Sequence, residues 1–541
     1  MPGGTLPSSA TQSTPWLLRY RLVLYLLLVL GSLVALPAGA TLHGVPMGRV
    51  VYAWLLLAIC AAPALLMQSF SSRYVLLLIF TGTYLIHFGG VDIQAMLLGE
   101  DTPPERTGFL MPAELVVLSG AVLACLGYLA GMRLVRAPDA RRAPAQWPRF
   151  TILVGGVALW LAGTAAIIYF GVFVAPSKTN LSSAEGMAAM GPMLTFIVML
   201  GHLLQPLGLL VIAYGYARFR GLFWTGLTLV IAFGQAAAAF IVDIKTLALL
   251  TGIVVIVVWT LVNNRIPKAW MAGSLVFVAV MFPMYQAYRA EITGERGLNR
   301  LQALQQIGRV IEVAWADRHK AMETEGSQQR SATLLERAYL KGNLETVIEH
   351  AGVDVPFLNG SSLVALPMAF VPRLLDPDKL TIAVGQLYTH DIMHSEDDTN
   401  ISISHLGEMY WNFGWPGVVG GMTLAGLILG MVGAKTDLEA GVSLTRVMVL
   451  VATVQYLCID FEGEIPTSYV NWMRSLAAIG LMHLMLARKS GQALPVSGGR
   501  EGRDADARML GWETAVAGAH ASPAGPVSGQ VRPAKYPNIL H

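Results

Sequence analysis

The sequence predicts an all-helical, polytopic membrane protein, and three observations lead to that class. Of 541 residues, 54% are hydrophobic, and mean hydropathy is +0.56. Only 13% are charged, about half the roughly 25% usual in soluble chains. Apolar runs of about 20 residues, the length that crosses a bilayer, recur along the chain. Together these features exclude a soluble enzyme, a disordered regulator and a basic nucleic-acid binder. A formal net charge of +3 over this length makes no field for a polyanion. Cys60, Cys125 and Cys458 lie in apolar runs and form neither a disulfide framework nor a CxxC metal pattern.

Twelve candidate spans lie near 20–39, 47–68, 73–91, 111–132, 150–174, 192–215, 222–242, 245–263, 269–288, 411–433, 445–460 and 466–487. Residues 1–17 are polar and small, and no cleavage-type boundary follows the first apolar run. That run therefore reads as an uncleaved first span. Lys/Arg bias in short loops sets orientation. Arg73, the group Arg133, Arg136, Arg141, Arg142 and Arg149, the pair Arg218 and Arg220, and the pair Arg265 and Lys268 follow spans two, four, six and eight. All fall on one side when the N-terminus is inside. The loop after span three is acidic instead, with Asp92, Glu100, Asp101 and Glu105 against Arg106. Both termini are expected to be cytoplasmic.

This pattern divides the chain into spans one to nine over 1–288, an outward loop over 289–405, spans ten to twelve over 406–488, and a tail over 489–541. The tail is rich in Gly, Pro, Ala and Ser without helical periodicity, which is the composition of disorder. The outward loop carries 27 of the 71 acidic and basic residues, and a loop this long is usually functional. Helical spacing of Leu301, Leu304, Ile307, Ile311 and Trp315, and of Leu334, Leu335, Ala338, Val347 and Ile348, predicts amphipathic helices, the second set broken near Gly342. Leu363 to Leu375 is apolar but too short to span, and Pro367 and Pro372 interrupt it.

Polar groups at or near membrane depth mark functional candidates. On the outward side these are Asp243, Lys245, Tyr288, Arg289, Arg373, Glu408, Asn412, Asp460, Glu462, Glu464, Asn471 and Arg474. For any one of them a solvated or snorkelling helix end is the plainer reading. As a set, Lys245, Arg289, Arg373 and Arg474 are expected to converge on one outer cavity. Guanidinium and ammonium groups suit phosphate. A lipid-linked diphosphate presents phosphates at that depth, and cationic side chains stabilise it as a leaving group. A carboxylate or imidazole nearby, Glu408 first and His405 second, would take the proton of an acceptor hydroxyl. Glu408 has a structural alternative as a cap for span ten. The chemistry is glycosyl transfer from a polyprenyl-diphosphate donor without a metal. His390, His394 and His405 with Asp391, Asp397 and Asp398 match no standard ligand spacing, and Thr293 to Gly297 lacks the strand that a phosphate loop follows. No metal and no cofactor are expected. Glycine pairs within spans read as close helix packing.

The segment SHLGEMYWNFGWPGVVGG, Ser404 to Gly421, resembles the pattern Gly-Glu-x-Tyr-x-Asn-Phe-Gly-x-x-Gly that opens a late span in Wzy-type O-antigen or exopolysaccharide repeat-unit polymerases. The matching residues are Gly407, Glu408, Tyr410, Asn412, Phe413, Gly414 and Gly417. Upstream, FVPRLLDPDKL resembles that family's Ile-Pro-Arg…Trp-Pro-x-Lys-Pro segment through Pro372, Arg373, Pro377 and Lys379, with Asp376 and Leu380 in place of the Trp and the final Pro. Lys245 in DIKTL and Tyr288 and Arg289 in YRAE fall where such proteins carry cationic residues. The resemblance covers roughly 240–475 by motif. It implies a glycosyltransferase-C-like bundle with a large helical periplasmic loop between spans nine and ten. It also implies undecaprenyl-diphosphate-linked oligosaccharide as donor and acceptor at the periplasmic face of a bacterial inner membrane. Arg289 and Arg373, assisted by Lys245, would bind the diphosphate, with Tyr288, Tyr410, Asn412 and Arg474 as further substrate contacts. Membrane lipids, a chain-length regulator and a flippase are the expected partners, and nucleic acid is not. An O-antigen ligase acting on lipid A-core, and a transporter of a lipid-linked or anionic substrate, remain alternatives at this point. A transporter would favour midplane charges and inverted repeats, and the charges here gather at the outer ends.

Overall fold

A computed structural model describes residues 20–99, 111–138, 145–174, 192–242, 245–293, 338–369, 383–395 and 400–487, with a few positions between 302 and 376. Side chains at 241–242, 245–250 and 285–293 are not described, although the backbone there is helical. The described residues are helices and turns, and no strand is found among them.

Nine helices answer to the first nine expected spans: α1 (Arg21–His43), α2 (Met47–Ala61), α3 (Val75–Leu98), α4 (Pro112–Leu134), α5 (Arg149–Ile168), α6 (Pro192–Phe219), α7 (Leu222–Val242), α8 (Lys245–Asn263) and α9 (Lys268–Thr293). Short helices follow: α10 (Lys341–His350), α11 (Ser361–Ala369), α12 (Val384–Leu387) and α13 (Ser404–Phe413). Three long elements close the order: α14 (Trp415–Lys435), α15 (Leu444–Thr453), which runs on through tighter and wider turns to Glu462, and α16 (Ile465–Leu486). Among the described residues, nine helices are long and apolar enough to cross a membrane: α1 to α7, α14 and α15 with its extension. Shorter apolar stretches, Thr251–Asn263 and Lys268–Met281, lie in α8 and α9. Helix α16 is continuous over 22 residues and carries Arg474 within it. The chain is thus a multi-pass helical membrane protein.

Glycines set the closest helix approaches. On the facing sides of α4 and α14, a Cβ at Gly127 or Gly131 would collide with the carbonyls of Thr423 and Leu427. A Cβ at Gly426 or Gly430 would collide with those of Ala124 and Tyr128. The four-residue spacing puts each pair on one face, and small residues let backbones touch where lipid supplies no hydrophobic drive. Gly163 and Gly208 do the same for α5 and α6 against Gln205 and Trp160.

One end of the bundle is basic. Phe70 N donates to Asn264 Oδ1 (2.7 Å) and Ser71 Oγ to the Leu261 carbonyl (2.8 Å). Arg220 donates to Asn263 Oδ1 (2.6 Å), and the Arg149 guanidinium lies over Phe219 and Trp224. The Tyr128 hydroxyl donates to the Arg73 carbonyl. Residues 69–73, 147–149, 218–224 and 261–268 therefore meet at this end, as the alternation of Lys/Arg-rich loops requires. The opposite end holds Asp92, Glu114, Glu408, Asp460 and Glu464.

The break expected near Gly342 is present: Tyr339 and Leu340 are not helical, and Gly342 lies in the first turn of α10. Two expectations change in detail. Pro367 sits inside α11 rather than ending it. Glu408 and Asn412 do not begin span ten. They occupy α13, outside the candidate crossings, and Gly414, at φ 62° and ψ −142°, turns the chain before α14 starts. That backbone region is open to glycine and closed to most L-residues. The expected helix at 301–315 and residues 334–337 lie outside the described residues, apart from isolated positions at 302–312.

Candidate functional site at the acidic end

Two polar hubs organise the acidic end. The first is built on α13. Glu408 is fully buried. Its Oε1 accepts from Ser362 Oγ of α11 (2.7 Å) and its Oε2 from the Ile465 amide at the start of α16 (2.8 Å). Asn412, one turn on, donates through Nδ2 to Ser362 Oγ and to the Glu408 carbonyl (both 2.8 Å), and its Oδ1 accepts from Gly360 N (2.9 Å). The Leu358 and Asn359 amides donate to the Trp411 and Asn412 carbonyls (3.0 and 3.1 Å). Helical spacing of 408 and 412 places both groups on one face, and that face sews residues 358–362 and the N-terminus of α16 together. The cap that Glu408 supplies belongs to α16, not to span ten.

Burial and the neighbouring Glu464 carboxylate work against ionised Glu408, while the Ile465 amide and Ser362 hydroxyl favour it. Burial wins, and the carboxyl is pushed up to about 7. His405, also buried, packs its ring on Phe461 (4.9 Å between centroids) and Tyr469 (5.9 Å). Burial drives its imidazole down to about 3, so it is neutral at physiological pH, and Nε2 has no hydrogen-bond partner among the described residues. Ser404, just before it, adopts φ 65°, a left-handed conformation uncommon outside glycine. Burial also raises the carboxyl of Glu464, whose Oε1 accepts from Gly385 N (3.4 Å).

The second hub is one that sequence reasoning passed over. Lys341, the first residue of α10, is 2% exposed. Its Nζ reaches Asp92 Oδ2 of α3 (2.9 Å) and Glu114 Oε1 of α4 (3.2 Å), both carboxylates 3% exposed. It also lies 4.4 Å from the Tyr52 ring centroid. The backbone adds two ties. Leu340 N donates to the His87 carbonyl (2.9 Å), and His87 Nδ1 pairs with the Ala338 carbonyl (2.7 Å). Asn343 donates to the Ser402 carbonyl (2.7 Å), and Ser402 Oγ donates to that of Glu462. Helix α10 thus links α3 and α4 to the segment that enters α13. The available signal was an acid at each outward end of spans three and four, with one lysine opening an outer helix.

Of the expected site residues, Glu408, His405, Asn412 and Tyr410 share α13. Tyr410 is half-buried between the two apolar clusters that flank the helix. Arg474 stands nine residues into α16, roughly 14 Å along the helix from Ile465. Its Nη1 lies 3.6 Å from Met199 Sδ of α6. Lys245 and the pair Tyr288 and Arg289 are placed by backbone alone. They lie about 28 and 31 Å up α8 and α9 from the shared turn at 264–267, hence near the acidic end. Arg373 lies outside the described residues. Comparison with family models, curated proteins and solved structures returns no match.

Proposed function

We propose that this chain is a lipid-linked glycosyltransferase that polymerises undecaprenyl-diphosphate-linked oligosaccharide units into a surface polysaccharide. In this reading it spans the bacterial inner membrane twelve times, with both termini cytoplasmic and the acidic end facing the periplasm. One observation carries the reading. The residues that resemble the polymerase pattern are also those that do buried polar work: Glu408 and Asn412 join residues 358–362 to α13 and α16. A motif kept only by chance resemblance has no reason to fall on the hub of its own end of the bundle.

The reaction joins the acceptor hydroxyl oxygen to the anomeric carbon of the donor while the bond to the diphosphate breaks. Negative charge grows on the departing diphosphate. Arg289 and Arg373, with Lys245, hold that charge, and Tyr288 and Arg474 complete the substrate contacts. Cationic donors fixed in advance favour the charged transition state over the ground state, where catalysis has to act. Both oxygens of Glu408 are engaged and shielded from water, so here it is a positioning residue rather than the base. The neutral, enclosed His405 plays the same part through its ring contacts. The acceptor proton then leaves with the diphosphate. Tyr410 and Asn412 line the same helix.

Surface glycan from a strain lacking the gene tests the assignment. A polymerase deficit leaves single repeat units on the surface. Long polymer retained on the carrier lipid would mark a ligase, and units held on the cytoplasmic side would mark a transporter. Either result would overturn the reading.

A further inference from the structure

A slot of about 370 Å³ opens between α6, α7, α8 and α9, away from both polar hubs. It runs from Trp270 and Thr225 at the basic end to Ala236 and Thr251. Thr225 and Ala236, its outermost lining residues on α7, lie 11 residues apart, roughly 17 Å at the α-helical rise. A space of this volume drawn out to that length is narrow, suited to a chain and not to a ring system. Its walls are apolar, with Phe233 and Phe277 facing each other across α7 and α9 (ring centroids 6.4 Å). Gly273 borders open space: among the described residues, nothing beyond its own helix backbone and chain neighbours lies within 4 Å of where a Cβ would stand. Leu229 and Phe233 on the wall, and Val230, Leu275 and Val276 beside it, are exposed, so the slot opens on the surface that faces lipid.

The mouth differs from the walls. Arg218, Arg265 and Lys268 are exposed at the basic end, and Lys268 immediately precedes the wall residues Ala269 and Trp270. Arg220 beside them is steadied by Asn263 and by the Trp259 ring, 5.6 Å away. Tyr216 accepts from the Trp270 indole (3.2 Å), which sets two aromatic rings with polar edges at the rim. Basic pockets between membrane helices hold anionic headgroups, and aromatic side chains with a polar edge prefer the level of the headgroups.

We propose that this slot binds one anionic diacyl phospholipid, with an acyl chain between α7 and α9 and the phosphate on Arg218, Arg265 and Lys268. The site lies at the opposite end from the proposed chemistry and stands whether or not the chain is a polymerase.

The test uses the purified full-length protein in detergent, with retained lipid counted by native mass spectrometry. The probes are phosphatidylglycerol, phosphatidylcholine with the same acyl chains, and undecaprenyl phosphate. The expected result is at least tenfold more phosphatidylglycerol retained than either other lipid. Gly273→Leu, which fills open space, and the double variant Arg265→Gln/Lys268→Gln, which alters only exposed groups, should each lower that retention at least tenfold. Elution volume and melting temperature check that both variants fold, and two unlike variants keep the result decidable. Equal retention of phosphatidylglycerol and phosphatidylcholine would overturn the headgroup site. Full retention by a folded Gly273→Leu would overturn the slot. Preference for undecaprenyl phosphate would make the occupant a polyprenyl chain and overturn the proposal.

Discussion

Replacing Lys341 by Met tests how the outer helix α10 is held to the membrane helices. Met keeps much of the length and removes the charge. Each Nζ–carboxylate contact, at 2.9 and 3.2 Å, amounts to roughly 5 kcal/mol of attraction at an effective dielectric of about 20. Desolvating three charged groups offsets most of that sum, so the triad contributes little net stability while intact. The variant is another matter, because it leaves two carboxylates, each 3% exposed, facing each other without a cation. Removing one partner of a buried pair costs about 3–5 kcal/mol, and Lys341→Met belongs at the upper end of that range. Thermal unfolding followed by tryptophan fluorescence in detergent measures the loss. The triple variant Lys341→Met/Asp92→Asn/Glu114→Gln removes the stranded charges and should recover most of the stability. A single variant that melts with the wild type, or a triple variant below the single one, would refute the reasoning.

Four further outcomes follow from the geometry. The Glu408 carboxyl, pushed up from 4.5 to about 7, holds its proton in the folded chain where the unfolded chain has lost it. Folding stability from this group therefore falls as pH rises from about 4.5 to about 7, by on the order of 3 kcal/mol, and Glu408→Gln should melt with a flatter pH profile. A Gln fits the hub, since its amide oxygen can accept from Ile465 N and its NH2 can donate to Ser362 Oγ. Polymer length close to wild type is expected for Glu408→Gln and short chains for Glu408→Ala; loss of polymer in a folded Gln variant would restore Glu408 as the base. Arg289→Ala and Arg373→Ala should each lower polymerisation by roughly 10²–10³, with partial rescue by Lys, and long surface chains from both would remove the diphosphate clamp. A Cβ at Gly417 would collide with the Met409 carbonyl, whereas one at Gly407 comes no nearer than 3.4 Å to any atom. Gly417→Ala should thus lower the melting temperature by an amount matching about 1–3 kcal/mol, while Gly407→Ala costs no more than its neighbours' ordinary variation. Reporter fusions after Arg142 and after Glu325 should report opposite sides of the membrane; the same side for both would dismantle the orientation.

The sequence by itself determined the class, the place of each long helix and the alternation of basic and acidic ends. These are properties of composition and of period. A bilayer demands about 20 apolar residues with every backbone group satisfied inside the helix, and Lys/Arg bias reads directly from the loops. The glycine contacts of Gly127, Gly131, Gly426 and Gly430 were legible as a spacing, though which helix each one met was not. Only the tertiary structure decided what the polar residues do. Glu408 read as a base or as a cap for the helix it precedes, because local sequence shows the 3.6-residue neighbours of a carboxylate and no others. Its partners, Ser362 and Ile465, stand 46 and 57 residues away. Lys341 lies 249 residues from Asp92 and 227 from Glu114, and the acids at the outward ends of spans three and four do not say which basic residue of the outer loop meets them. Which charges are buried and paired depends on how distant helices dock, and a single chain read along its length carries no record of that.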